Sequence, residues 1–333
     1  MVDVNVSING VILYCDESIL SLQFGHSYSI VKTYIDDLPF KEKITDGRGK
    51  INISYFSSLQ SDENGEYLLC LKKDDVYQIE NPLKGPGVYT NKDLRCDSQI
   101  EAYNDAETGY LHMVFSLLRL FKVGNIGTKE LFLDHSYSLG ILKNNFNHVS
   151  NIVTRNITDT RMFSLDSAEI QACSQFLTDY RGAAYLLMKD NIDEFIWGLA
   201  QIDMATGFEQ FTTALEMTLL APGQQGKKEV LSKRVAVLLE NTPADIAALY
   251  AKMKTFYRYR SESLHEGDDQ NITDTETMEL EDIVRRVLCK CLERCKTELS
   301  NNAAITWNDI KNQLIIDLMA KVATENAAGT FGT

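Results

Sequence analysis

The stretch "YRYRSESLHEGD" at residues 257–268 contains two arginines and a histidine, residue types that suit chemistry at a phosphate group. The guanidinium of arginine stays charged and presents a planar fork to two phosphate oxygens. Histidine transfers protons near neutral pH because its unperturbed pKa is about 6.5. Arg258, Arg260 and His265 are therefore candidates for binding a phosphate and moving a proton beside it.

The spacing of these residues matters because the stretch ends a segment with helical periodicity that begins near Pro243. On a regular helix Arg258 and His265 point in nearly the same direction, whereas Arg260 and His265 are about 140° apart. Gly267 and the acids after it predict that the helix ends at His265, and an irregular last turn would bring Arg260 round. The spacing leaves open which arginine accompanies His265.

The elements that must position these residues change character along the chain. The first hundred residues are typical of strands, because β-branched and aromatic residues recur between turn signals such as "DENG". From about residue 164 the period is helical, with breaks at "APGQQG", "NTP" and "EGDDQNITDT". The sequence predicts an α+β protein with a β-rich domain over 1–105, a helical bridge over 106–163 and an all-α bundle over 164–325.

Composition narrows the class of protein. With 333 residues, 44% of them apolar, the chain is typical of a folded globular protein. We find no apolar run long enough for a membrane span and no cleavable leader, so we expect a cytoplasmic protein without a membrane partner. The odd number of cysteines, seven, fits a reducing compartment, and the net charge of −14 argues against non-specific binding to a phosphate backbone.

Charge is distributed unevenly around the arginine and histidine stretch. Residues 221–260 contain eight basic and three acidic side chains, whereas residues 266–282 contain eight acidic side chains and no basic one. A charge run on a helix is usually a solvated face, and acids favour a helix start. We hypothesise that Asp268 and Asp269 also mask the basic region until RNA or a partner displaces them.

The stretch "YRYRSESLHEG" resembles the R-x4-6-H signature of HEPN ribonuclease domains, and more closely the R-S-x-x-x-H-G form of Apea-like members from phage-defence systems. The helix order through "ALEMTLLA", "LSKRVAVLL" and "LEDIVRRVLCKCLE" is similar too, and the resemblance covers about residues 110–295. It implies a HEPN bundle and a homodimer whose two motifs face one cleft. It also implies an endoribonuclease that needs no metal or cofactor and acts in phage defence or as a toxin.

The resemblance assigns roles to individual residues. Arg260 would stabilise the transition-state charge, His265 would transfer protons, and Arg258 would make a second phosphate contact. Ser261 stands where many members have Asn, Asp or His, and Glu266 separates His265 from Gly267; both departures support the alternative of a non-catalytic HEPN module that binds RNA or a protein. A separate antitoxin or trigger protein is a further expected partner.

Other residues are candidates for supporting roles. Glu216, in an otherwise apolar segment, would orient His265 or Arg260, or would simply face solvent. Tyr257 would stack on an unpaired base. Cys289 and Cys291 of "CKCLERC", two residues apart, point about 160° away from each other on a helix, so we expect no metal site there. The side chains expected to follow an RNA backbone are Lys233, Arg234 and Lys254.

The simplest alternative needs no RNA at all. An arginine and a histidine near a helix C-terminus interact favourably with the helix dipole. Arg258 and Glu262 are also spaced for an ion pair across one helical turn. A purely structural role therefore stays open beside the catalytic one and the binding one.

Overall fold

The structure of the protein is a computed structural model, and it describes residues 1–45, 50, 55, 58–81, 97–139, 142–151 and 161–332. The described chain divides into two compact units, one ending at Thr178 and the other beginning at Asp179. An antiparallel sheet dominates the first unit and helices form the second, which confirms the predicted α+β class.

The first unit is built on a six-stranded antiparallel sheet with the strand order β2-β4-β1-β5-β6, and β3 pairs with β4. Two 3-10 helices, Glu17–Ser21 and Ile35–Asp37, and the short helix α1 (Lys41–Ile44) connect its early strands. The strands are β1 (Val2–Leu13), β2 (Ser29–Tyr34), β3 (Gln60–Asp62), β4 (Gly65–Ile79), β5 (Gly127–Leu139) and β6 (Leu142–Asn151).

Helix α2 (Asp97–Phe121) covers one face of this sheet. In β1 the side chains alternate, with Val4 and Val6 buried and Asn5 exposed, as expected for a strand with one covered face. Val4 packs in a buried cluster with Ile100 of α2 and Ile79 of β4. The apolar alternation of β1 thus selects the face on which α2 lies.

The layer between α2 and the sheet also buries polar groups. Glu107 accepts hydrogen bonds from Tyr28 Oη at 2.6 Å and from Lys73 Nζ at 2.8 Å, and we call these three residues the Glu107 cluster. Beside it the imidazole of His135 lies 2.9 Å from Asn104 Oδ1. The Glu107 cluster is tolerated in a core because its polar groups satisfy one another.

The segment predicted to be a helical bridge, 106–163, differs from that prediction. It contains the second half of α2, but β5 and β6 follow and join the N-terminal sheet. The strand pattern of β5 is hard to recognise because a polar residue, His135, takes one of the buried positions between exposed Asp134 and Ser136. The segment "INISYF", which we expected to be a strand, lies mostly outside the described residues.

Seven helices complete the chain, and the division between the units falls inside the first of them. One helix begins at Pro243, near the start that the sequence predicts, and Thr242 caps it with a side chain that accepts from the Asp245 N–H. The helices are α3 (Ser167–Tyr180), α4 (Ala183–Leu199), α5 (Met204–Leu219), α6 (Lys227–Leu239), α7 (Pro243–Glu266), α8 (Asp274–Asn301) and α9 (Trp307–Ala327).

Aromatic packing fixes α7 against its neighbours in the second unit. Phe256 of α7 meets Phe208 of α5 edge-on, with ring centroids 5.6 Å apart. Gly198 allows α4 to approach α5, since a Cβ atom there would lie 2.7 Å from the Phe211 ring. The buried face of α7 is thereby set, and its remaining faces carry the candidate residues.

Within the described ranges, no helix has both the length and the apolar character needed to cross a membrane.

Candidate functional site

Helix α7 continues without irregularity through the arginine and histidine stretch and ends at Glu266. Gly267 adopts a left-handed conformation with φ of 67°, and its N–H donates to Ser263 O at 3.0 Å. The last turn therefore does not bring Arg260 round to His265. Arg258 and His265, seven residues apart on a regular helix, point in nearly the same direction.

Arg258 and His265 belong to one solvent-facing line of side chains on α7, which we call the exposed stripe: Arg258, Ser261, Glu262 and His265. Ser261 and His265 are exposed, and the Arg258 side chain is 55% exposed. Arg258 Nε lies 3.5 Å from Glu262 Oε1. An exposed pair one turn apart contributes at most about 0.5 kcal/mol, so Arg258 can exchange this partner for a phosphate.

Arg260 lies on a different side of α7, against α5. Its side chain is 19% exposed, and its Nη1 atom is 3.3 Å from Glu216 Oε1. The guanidinium carbon also lies 5.6 Å from the centroid of the Tyr257 ring. Of the three roles considered for Glu216, pairing with Arg260 agrees with the geometry, whereas orienting His265 and facing solvent do not.

The Glu216 carboxylate collects further donors, and we call Glu216, Lys227, Tyr257 and Arg260 the Glu216 cluster. Lys227 Nζ donates to Oε2 at 2.7 Å, and Tyr257 Oη donates to Oε1 at 2.9 Å. Burial alone would raise the pKa of Glu216, but these hydrogen bonds and the Arg260 charge outweigh it and lower the pKa. Burial and the bond to Glu216 raise the pKa of Tyr257 to about 12, so Tyr257 stays protonated.

Two of the lysines expected to follow RNA share a second carboxylate, that of Glu229 in α6. Lys233 Nζ lies 3.0 Å from Glu229 Oε1 and Lys254 Nζ lies 3.5 Å from Oε2. Tyr250 Oη donates to Oε1 at 2.7 Å and accepts from Lys254 at 3.1 Å. We call these four residues the Glu229 cluster; sequence reasoning missed Tyr250 and Glu229, although the Glu229–Lys233 spacing of one turn is a signal for the pair.

Arg234, the third residue expected to follow RNA, requires a correction. It is only 4% exposed, and its Nη1 atom donates to the Leu219 carbonyl at 2.6 Å. The guanidinium thus stabilises the C-terminal end of α5, and burial lowers the pKa of Arg234. A side chain in this position is not available to an RNA backbone.

Most cations of the basic run noted in the sequence have an acidic partner within the second unit. Its partners come mostly from outside residues 221–260, which is why counting charges in that window did not reveal them. Six of its eight cations pair with acids: Lys227 and Arg260 with Glu216, Lys233 and Lys254 with Glu229, Lys252 with Glu279, and Arg258 with Glu262.

The acidic loop after α7 and the cysteines of α8 are the remaining features singled out in the sequence. Asp268 and Asp269 are exposed. Among the described hydrogen bonds and ion pairs, none joins either aspartate to Arg258 or His265. Cys295 is buried, and burial raises its pKa to about 12. In the part of the chain that the structure describes, no three His, Cys, Asp or Glu side chains group closely enough to hold a metal ion.

Comparison with known proteins returned no match, whether against protein-family models, curated proteins or solved structures.

Proposed function

We propose that this protein is a metal-independent endoribonuclease of the HEPN type, in which His265 transfers protons and Arg258 holds the phosphate. The observation that carries the proposal is the exposed stripe, where both side chains point the same way from a regular helix. Cleavage of RNA without a metal needs a base for the 2′-hydroxyl proton, an acid for the leaving 5′-oxygen and positive charge at the phosphate. The products would carry a 2′,3′-cyclic phosphate and a 5′-hydroxyl.

One stripe supplies a single histidine, which cannot be base and acid at the same moment. A homodimer through the helical unit would place two exposed stripes on one cleft, so that one His265 begins as base and the other as acid. Two-fold symmetric contacts are the commonest way in which identical chains associate. Mixing a His265→Ala chain with wild type should then lower activity per wild-type chain as mixed dimers form.

We propose the opposite ranking of the two arginines from the one that the resemblance implies. Arg260 is held by Glu216 on another side of α7, so we assign it the role of a positioning residue that fixes the end of the helix. Arg258 takes the role of phosphate ligand because its guanidinium is the more exposed of the two and shares the direction of His265.

The test is cleavage of total RNA and a tRNA pool in EDTA by wild type, Arg258→Ala, Arg260→Ala and His265→Ala. We expect at least a hundredfold loss of cyclic-phosphate ends for His265→Ala, the usual size of a general acid or base effect. Arg258→Ala should lose nearly as much, and folded Arg260→Ala should keep most of its activity. A folded, dimeric wild type that leaves every RNA intact would contradict the proposal.

A second candidate is a HEPN module that binds RNA or a protein without cleaving. Pairing of six cations with four carboxylates favours it, since most cations of the basic run already have a partner other than a phosphate backbone. Exposed Glu266 beside His265 also favours it, because a carboxylate repels an anionic substrate. RNA binding without cyclic-phosphate products would select this candidate. For either candidate we propose a cytoplasmic role in phage defence or as a toxin, with a separate antitoxin or trigger protein.

A further inference from the structure

The C-terminal tail after α9 folds back onto the Glu229 cluster. The ring of Phe331 meets the ring of Tyr250 at 67°, with centroids 4.9 Å apart. Lys233 Nζ lies 4.9 Å from the centroid of the Phe331 ring and donates a hydrogen bond to Asn326 Oδ1 at 3.0 Å. Phe331 therefore lies beside Tyr250 and Lys233 and restricts access to them.

Local hydrogen bonds give the tail its shape. Thr330 donates through its N–H to Glu325 O at 3.0 Å and through its hydroxyl to Glu325 Oε2 at 2.6 Å. Gly329 and Gly332 adopt left-handed conformations with φ of 75° and 72°, which glycine accepts without steric cost. These bonds lie within the end of α9 and the tail, so Phe331 can leave Tyr250 without breaking them.

The surface beneath Phe331 combines an aromatic ring with excess positive charge. Tyr250 is 8% exposed, and the Nζ atoms of Lys233 and Lys254 lie 5.9 Å and 5.0 Å from its ring centroid. Two lysines against Glu229 leave a net charge of +1. Proteins bind single-stranded RNA with this pairing, stacking a base on an aromatic side chain and placing cations at the backbone.

We propose that Tyr250, Lys233 and Lys254 form a subsite for an unpaired RNA base and its phosphate, and that Phe331 occupies the place of that base. The C-terminal tail then competes with RNA. The proposal rests on the proposed function, because it takes RNA as the ligand, and it extends the RNA contact beyond the exposed stripe.

The subsite lies away from the reacting atoms. Tyr250 precedes His265 by fifteen residues on one regular helix, which places it about 22 Å along the axis and about 60° around it. RNA reaching both places must follow α7 over several nucleotides. The subsite would therefore change affinity for single strands, not the chemical step.

The competition is between contacts of similar strength. Phe331 makes one edge-on aromatic contact and one lysine contact, and an incoming base would make the same two types of contact. An intramolecular occupant that is bound about nine-tenths of the time lowers apparent affinity about tenfold. Removing the Phe331 ring should therefore raise RNA affinity about tenfold.

The experiment measures binding of a fluorescein-labelled, mixed-sequence 12-nucleotide RNA to the full chain by anisotropy. All proteins carry His265→Ala so that the probe stays intact. We expect Phe331→Ala to bind about tenfold more tightly than its parent, and Phe331→Tyr, the matched control, to bind like the parent. The slope of log affinity against log salt should stay the same, because bound RNA displaces Phe331 and meets the two lysines in the parent as well.

A second variant tests whether the gain comes from the subsite. Adding Lys254→Gln to Phe331→Ala should remove most of the gained affinity, while Lys252→Gln, on the same helix but paired with Glu279, should not. Equal or weaker affinity of Phe331→Ala than its parent would overturn the subsite, as would a gain that survives Lys254→Gln.

Failure of the subsite and failure of the nuclease give different results. If wild type cleaves RNA but Phe331→Ala binds like its parent, the subsite is wrong and the nuclease stands. If Phe331→Ala binds tenfold more tightly but wild type produces no cyclic-phosphate ends, the subsite stands and the nuclease is wrong. If neither Phe331→Ala nor its parent binds the RNA, the subsite is overturned. The cleavage assay alone then decides whether the protein is a nuclease.

Discussion

Two carboxylate clusters, one in each unit, use the same chemistry in different surroundings. In each, a glutamate accepts hydrogen bonds from a tyrosine hydroxyl and a lysine: Tyr28 and Lys73 for Glu107, and Tyr257 and Lys227 for Glu216. The Lys73 side chain is 5% exposed, whereas that of Lys227 is 48% exposed. The burial of the cation, not the type of residue, distinguishes the clusters.

This difference predicts which cluster is fixed and which can open. A charge without access to water must keep its partner, because the alternative is an unpaired buried ion. A half-exposed cation can exchange its partner for water at small cost. The Glu107 cluster therefore ties α2 to the sheet, while the Glu216 cluster can tolerate changes beside the proposed nuclease site.

The largest expected effect is on the Glu107 cluster. Lys73→Met should lower the free energy of unfolding of the first unit by about 3–5 kcal/mol, because it leaves Glu107 buried without its cation. Adding Glu107→Leu should recover most of the loss. Hydrogen exchange in α2 and β4 peptides during urea unfolding measures both. A Lys73→Met protein as stable as wild type would remove the basis of the comparison.

A smaller effect, dependent on pH, is expected from His135, which is 1% exposed. Burial lowers the pKa of His135 from 6.5 to about 4, so the unfolded chain binds its proton first. The contribution of His135 to the free energy of unfolding is fully present above pH 6.5. It decreases as the pH falls towards 4, by at most about 3 kcal/mol. Urea unfolding at pH 7 and 4.5 should show that His135→Gln removes this part of the pH dependence.

The test of this pH dependence is the comparison of His135→Gln with wild type at the two pH values. The interpretation of His135 would be wrong if His135→Gln and wild type lost the same stability over this interval.

The Glu216 cluster should respond more weakly to Arg260→Met, by about 2 kcal/mol in the second unit, since a mostly buried ion pair with Glu216 is lost. RNA cleavage by the folded variant should fall less than threefold if Arg260 only positions the helix. Thermal unfolding and the EDTA cleavage assay measure the two effects. A hundredfold loss of cleavage in a folded Arg260→Met protein would return Arg260 to the catalytic role first expected.

Lys227→Met should have a still smaller effect on stability, below about 1 kcal/mol, because this cation is half exposed. Lys227→Met in the second unit corresponds to Lys73→Met in the first. The ratio of the two losses in unfolding free energy tests the comparison most directly. Equal losses in urea unfolding would show that burial of the cation does not decide the outcome.

The smallest effect concerns the acidic loop. Asp268→Asn with Asp269→Asn should raise basal RNA cleavage about twofold, because exposed charges act on a substrate through screening salt. The gain should disappear at high salt in the same assay. Unchanged cleavage at low salt would show that these two acids do not mask the basic region.

Much of the fold was readable from local pattern. The strand β1, the helical second half and the breaks between helices follow from hydrophobic period and turn residues, which depend on near neighbours. The start of α7 near Pro243 and its end before Gly267 were readable for the same reason. The placement of β5 and β6 in the N-terminal sheet was not readable from local pattern, since strand pairing joins residues far apart in sequence.

Local pattern was enough to predict that two arginines and a histidine lie near the end of one helix, because all three belong to that helix. Their surroundings depend on tertiary packing: an unbroken last turn, Glu216 from α5 beside Arg260, and Arg234 buried under the end of α5. Charges find partners across helices according to how those helices pack. For that reason counting charges along the chain suggested a basic surface, whereas the folded unit balances most of it.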